Sequence, residues 1–148
     1  GHVYRIQDED NFKKIPDYQK ILSERYFLIQ KYWPAGSDYR IIVVGNKVIG
    51  GMKRTAASKE EYRNNYSLGG NISAVEVDLD IEKIALDACR VTKCDYAGVD
   101  IMYWQDRPYI LEVNRYCHFE GFDQVHQDSV ATKIIEYLEQ LYDQKKSS

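Results

Sequence analysis

Apolar residues recur along this chain in two rhythms: every second position in short runs, and every third or fourth position in longer ones. The sharpest short run is residues 96–114, YAGVDIMYWQDRPYILEVN. Its alternation predicts a β-hairpin, with residues 97–103 and 109–114 as strands and 104–108 as the connection. Val99 and Ile101 share one face and Asp100 takes the other. Leu111 and Val113 share a face, while Glu112 and Asn114 point away from it. A fold about the midpoint, near Asp106, sets Asp100 opposite Glu112.

The other segments follow the same two rhythms. Residues 2–7 read as a short strand, and the polar residues 8–11 offer helix caps. Phe12, Ile15, Gln19 and Leu22 make a helical face that Pro16 interrupts, so one short helix over 15–24 or two pieces is expected. Residues 26–32 (YFLIQKY) predict a buried strand, followed by a loop at Trp33-Pro34-Ala35-Gly36-Ser37. Residues 38–44 and 47–53 are apolar strands joined at Gly45-Asn46, a hairpin signal. Gly50-Gly51 inside the second strand suggests a bulge or a close approach of the backbone to another group.

Residues 54–71 are long, polar and unpatterned. A strand is expected over 73–77, and a helix over 80–93 with Ile81, Ile84, Ala85, Ala88 and Val91 at helical spacing. After the central hairpin, residues 115–123 read as an irregular loop. Val130, Ile134, Leu138 and Leu141 then mark a closing helix over 126–142. The fold class is α+β: an antiparallel sheet with helices packed on one side, in a single domain over residues 1–148.

Two carboxylates facing each other across a strand pair repel, so Asp100 and Glu112 ask for a cation between them. With the Asn114 amide oxygen they form an all-oxygen set suited to Mg²⁺ or Mn²⁺. A solvated face with scattered charges is the other reading of the same residues. Arg40, Lys53, Arg54, Arg63 and Arg115 form a cationic set whose guanidinium forks match phosphate and carboxylate. Residues 28–33 open a strand into a Pro-Gly loop and are either core or a wall for a flat base. His118, beside Cys117 and Glu120, lacks a paired Ser or Asp arrangement, which disfavours a nucleophile or general-base role. No Walker-type P-loop and no G-x-G-x-x-G occurs.

Composition narrows the classes. A net charge of −3 argues against a general nucleic-acid or membrane-surface binder. Three cysteines without C-x-x-C spacing point away from zinc or a disulfide framework and toward a reducing cytoplasm. The thirteen tyrosines leave core, interface and stacking roles open. The apolar runs are too short to span a membrane. The chain opens at Gly-His without an initiator Met, as a tag remnant or a fragment of a longer protein would.

Several pieces, in this order and spacing, resemble the RimK-like group of ATP-grasp carboxylate–amine ligases. Leu28-Ile29-Gln30-Lys31-Tyr32 is similar to the hinge strand lining the adenine pocket, and Asp38-Tyr39-Arg40 to the D-I-R element, whose Asp lies near the ribose. Arg63-Asn64-Asn65 resembles the R-S-N element, and Leu68-Gly69-Gly70 the glycines after it. Ala97-Gly98-Val99-Asp100-Ile101 and Leu111-Glu112-Val113-Asn114 resemble the two metal-bearing segments.

The resemblance implies the C-terminal portion of an ATP-grasp fold, with an earlier substrate domain and first grasp half missing from this chain. It implies an ADP-forming ligase that activates a carboxylate as an acyl phosphate and joins it to an amine. The chain alone is then an inactive part of it. ATP and two Mg²⁺ or Mn²⁺ ions are the implied cofactors. Asp100, Glu112 and Asn114 hold metal, and Gln30, Lys31, Tyr32, Asp38, Arg40, Arg63 and Asn65 contact nucleotide. Arg63 and Arg54 stabilise the transferring phosphoryl group, and Arg115 positions a substrate carboxylate. Implied partners are ATP, a small-molecule or peptide carboxylate, an amine and the missing N-terminal part, with no nucleic acid or membrane; homo-oligomerisation stays open.

Departures from the family pattern are Lys31, where an acidic residue is common, and Asn64 in place of Ser. A third is Arg115-Tyr116-Cys117-His118-Phe119, where a small residue, Pro and Gly often follow. An ATP-grasp kinase of a small metabolite and a non-catalytic nucleotide-binding module remain alternatives.

Overall fold

The computed structural model describes residues 4–23, 28–32, 36–55 and 71–147. They fall into two compact units, Gly1–Pro34 and Ala35–Ser148.

In the first unit, Asp8 caps α1 (Glu9–Lys13), its carboxylate accepting from the Asn11 backbone N–H at 2.7 Å. Pro16 divides the helical pattern, and α2 (Tyr18–Ser23) follows, so the two-piece reading holds. Phe12 and Tyr18 meet edge to face at 5.2 Å. The strands expected over 2–7 and 26–32 are not found in their described parts, 4–7 and 28–32. A strand exists only as one rail of a ladder, and no described residue of this unit supplies the other rail. Leu28 and Ile29, expected to be buried, are 80% and 81% exposed.

The second unit holds one sheet. Its strands are β1 (Ser37–Val44), β2 (Lys47–Thr55), β3 (Asn71–Val75), β4 (Tyr96–Trp104) and β5 (Arg107–Asn114). They are antiparallel in the order β3-β2-β1-β4-β5. Gly45 turns the first hairpin at φ +60°, a left-handed conformation that favours glycine. The second hairpin turns on Gln105 and Asp106 alone, at φ +51° and +60°, two residues shorter at the Arg107 end and one at the Trp104 end than the expected connection.

Both hairpins carry an irregularity. The β1–β2 register passes from Val43↔Val48 to Ile42↔Gly50, leaving Ile49 extra. The β4–β5 register passes from Ile101↔Ile110 to Asp100↔Glu112, leaving Leu111 extra.

Successive residues of β1 face opposite ways, and both faces are covered. Ile41 and Val43, with Ala97, Val99 and Ile101 of β4, pack against Ile81, Ala85 and Cys89 of α3 (Leu79–Thr92). Ile42, Val44 and Met52 pack on the other face against Cys117, Phe122 of α4 (Glu120–His126) and Val130 of α5 (Val130–Lys146). The α+β class and antiparallel sheet stand; the helices, expected on one side, are divided between two. The reason lies in the alternation: β1 is apolar at consecutive positions from Ile41 to Val44, so neither face could stay wet.

Local details shift in the same way. Asp78 caps α3, accepting from Ile81 N–H at 2.8 Å, so the helix starts at Leu79, one residue before the expected start. Val91 is 82% exposed, because the buried stripe Ile81, Ala85, Cys89 advances about 40° every four residues and leaves Val91 behind it. In α5, Tyr137 takes the inward place expected for Leu138. Part of the loop expected over 115–123 is helical, as the start of α4. Among the described residues no helix is long and apolar enough to cross a membrane.

Candidate functional site

One face of the sheet gathers charges edge to edge. Asp38 pairs in register with Arg54, Arg40 with Asp100, and Asp100 with Glu112, across four neighbouring strands. Gly98 pairs with Asn114 two positions on, so Asn114 shares that face. Asp100 thus stands opposite Glu112, as expected for this hairpin.

The side chains form a continuous chain of bonds. Arg40 grips Asp100 with two parallel hydrogen bonds, Nε to Oδ1 at 2.8 Å and Nη2 to Oδ2 at 2.7 Å. Arg54 bridges two carboxylates, its Nε donating to Asp38 Oδ1 at 2.6 Å and its Nη2 to Asp100 Oδ2 at 2.8 Å. Asp38, Arg54 and Asp100 are only 6%, 6% and 3% exposed. Burial works to lower the Arg40 pKa, but the bonded, charged Asp100 outweighs it and the net shift is upward. Arg40 is therefore a fixed charge.

Glu112 is the member of this row held least firmly. Partial burial raises its pKa above the ordinary carboxylate value, and the charge and hydrogen bonding of Asp100 raise it further. Arg40 and Arg54 only partly offset this. A second negative charge beside Asp100 is thus disfavoured until a cation joins.

The donor set fits a hard divalent ion. Asp100 Oδ1 accepts one arginine bond and Oδ2 two, so of about four lone-pair sites the last is the one shared with Glu112, where an ion would replace the proton between the two carboxylates. Asn114 Oδ1 accepts from the Tyr116 N–H at 3.0 Å and keeps a second lone pair. Among the described residues no three His, Cys, Asp or Glu side chains converge as a closed cage. An ion here would rely on Glu112, Asp100 and the Asn114 amide, with phosphate and water completing its shell.

The chain belongs to a known family. Residues 2–138 match the RimK-like ATP-grasp domain. A probable alpha-L-glutamate ligase of Nitrosococcus oceani is 35% identical over 116 residues, which are 77% of this chain and 38% of that protein. The chain therefore spans under two-fifths of the length of such relatives. In fold it is similar to the D-alanine–D-alanine ligase of Bacillus anthracis complexed with ATP, with TM-score 0.60, 16% identity, 97% of this chain and 50% of that one. It is also similar to the ATP-grasp ligase PsnB, with TM-score 0.58, 21% identity, 72% of this chain and 32% of that one.

Within this RimK-like domain the predicted residues separate. Asp38, Arg40, Arg54, Asp100, Glu112 and Asn114 come together on one face. Arg115 does not join them. Its Nη2 donates to Thr92 O at 2.6 Å and its Nε to Cys94 Sγ at 3.1 Å, which ties it to the end of α3 on the opposite face. It satisfies a carbonyl that α3 leaves open beside left-handed Lys93, an assignment the expected substrate role did not include. Lys53 also lies on that face, 5.7 Å from the Tyr39 ring. Arg63 and Asn65 lie outside the described residues. Gln30, Lys31 and Tyr32 belong to the first unit, where Tyr32 sits under the Arg5 guanidinium at 4.2 Å.

Sequence reasoning missed the surroundings of Arg40. Tyr96 Oη donates to Cys117 O at 2.9 Å and lies 3.0 Å from Cys117 Sγ. Burial pushes the Cys117 thiol up, against the lowering influence of Tyr96 and Arg40, so it is a neutral packing group rather than a nucleophile. The available signal was the phase of Tyr96 and Gly98, which share the face of Asp100.

Proposed function

We propose that this chain supplies the metal and nucleotide-phosphate face of an ATP-dependent, cytoplasmic ligase that joins a carboxylate to an amine. The observation that carries the proposal is the row Asp38–Arg54–Asp100–Arg40 with Glu112 in register beside it, inside a RimK-like ATP-grasp domain. In the reaction so inferred, a substrate carboxylate attacks the γ-phosphorus of ATP and ADP leaves. An amine then attacks the acyl carbon, and phosphate leaves as the amide forms.

Asp100, Glu112 and Asn114 would hold one or two Mg²⁺ or Mn²⁺ ions. When bound, the ions neutralise phosphate charge and align the transferring group. PsnB has been solved with Mg and ADP, which supports this choice of metal and nucleotide. Arg40 and Arg54 fix the carboxylate of Asp100 in place before any ligand arrives, so the site need not reorganise on binding. Arg63, Asn65 and the hinge residues Gln30, Lys31 and Tyr32 complete the nucleotide contacts in this reading. The substrate-carboxylate role inferred for Arg115 has no support from its bonds to Thr92 and Cys94.

The test is turnover in a longer protein that contains this chain, matched to the length of its relatives. Because such relatives are named as probable alpha-L-glutamate ligases, glutamate is the first amino acid to offer. ADP release that requires both an amine and a carboxylate, and that Glu112→Gln reduces by about a hundredfold or more, is expected. ADP release with phosphorylated substrate and no amide would replace the ligase by a kinase.

A further inference from the structure

Arg40 is aimed by more than Asp100. Beside its stem, two residues before Asp100, the backbone of β4 has a notch at Gly98. A Cβ built there would lie 2.8 Å from Cys117 Cβ, 2.8 Å from Cys117 Sγ and 3.3 Å from Arg40 Cδ. The first two contacts are closer than packed atoms tolerate. Cys117 thus fills the space that a side chain at position 98 would need, and the Arg40 stem runs past the same point. Cys117 is 4% exposed, and the Tyr96 hydroxyl holds it from the neighbouring position on β4. The next loop residue back, Tyr116, is 90% exposed, so Cys117 is where this loop enters the protein.

We propose that Cys117, seated in the Gly98 notch and tied to Tyr96, is a positioning residue: it confines the Arg40 stem to the course that gives two parallel bonds to Asp100. A guanidinium reaches a carboxylate from many directions, but only one approach is two-pronged. Asp100 alone cannot enforce that approach on a side chain with four rotatable bonds. The wall formed by Gly98 and Cys117 removes the alternatives. Size is then the property that matters at positions 98 and 117, and thiol chemistry is not.

This proposal deepens the reading of the Asp100 face as a metal and phosphate site, but its first test is independent of that reading. In the 148-residue chain, the Arg40 and Arg54 Nε–H groups are separate nitrogen-15 NMR probes, bonded to Asp100 and Asp38 respectively. Both are expected to be protected from solvent exchange. Gly98→Ala should quicken Arg40 Nε–H exchange by about tenfold or more while Arg54 keeps its protection. The size swap Gly98→Ala with Cys117→Gly should restore Arg40, and Cys117→Ser should leave it protected. Tyr96→Phe, which keeps the ring and frees Cys117, should weaken Arg40 protection even if Gly98→Ala does not fold.

Unchanged Arg40 protection in Gly98→Ala and in Tyr96→Phe would overturn the proposal, as would a size swap that folds without restoring Arg40. A second measurement, Mn²⁺–ATP-analogue binding to the longer protein, separates the two readings. Intact Arg40 protection with no metal–nucleotide binding would remove the functional reading and leave the positioning role standing.

Discussion

Arg54 shows how one residue can hold a face together. It is buried, and its two bonded nitrogens serve Asp38 and Asp100 at once. Replacing it by Met keeps the bulk but removes one bonded cation from each carboxylate. Breaking buried pairs of this kind costs about 3–5 kcal/mol. Arg54→Met should therefore lose that order of stability in denaturant unfolding, a large part of what such a domain has. Replacing exposed Arg90, whose bond to Asp87 is on the surface, should cost well under about 1 kcal/mol. The Asp100–Glu112 pair was anticipated from a hairpin folded about Asp106; with the shorter Gln105-Asp106 turn it is the extra residue Leu111 that restores that pairing. The Asp38–Arg54 pair was not anticipated. Counting outward from the Gly45-Asn46 turn without a bulge puts Asp38 opposite Lys53; the extra residue Ile49 moves Arg54 into that place.

At the level of elements, hairpins and helices were read from turn chemistry and period, and errors came where tertiary contact decides. The strand expected over 26–32 has the right composition and no ladder to join in its described part. The bonds of Arg115 to the end of α3 are a tertiary contact of the same kind, which sequence cannot show. Arg115→Ala should lower thermal stability by about 1–2 kcal/mol through the lost carbonyl partner, and leave nucleotide binding by the longer protein unchanged. A loss of nucleotide affinity at unchanged stability would return Arg115 to the site. The β4–β5 turn places two non-glycine residues at positive φ. Gln105→Asn with Asp106→Gly should raise the free energy of unfolding by about 1 kcal/mol, since Asn-Gly adopts that turn with least strain.

For the whole molecule, the balance of the charged face sets a pH response. The folded state raises the Glu112 pKa above its unfolded value. Between those two values the folded protein binds more protons, so stability due to this group falls as pH rises through the carboxylate range. Wild type should lose stability relative to Glu112→Gln as pH climbs from near 4.5 upward. Bound Mg²⁺ should flatten the difference, measured as paired thermal melts across pH. Burial has the matching effect on thiols: it pushes Cys89 to about 11 and also raises Cys117. Both should resist alkylation until the chain unfolds.

The extra residue in β5 bears on how this domain can change length. Starting from the Gln105-Asp106 turn, an unbroken ladder would put Leu111, not Glu112, across from Asp100. Leu111 is the spacer that delivers the acid, and it is 41% exposed. Deleting it would leave Ile110 against Ile101 and Glu112 against Asp100, now as a regular ladder. Deleting Val113 instead would turn Asn114 to the wrong side. Such a chain can therefore drop the residue at position 111 and keep its acids in phase, while the loss of one residue two positions later would put Asn114 out of phase.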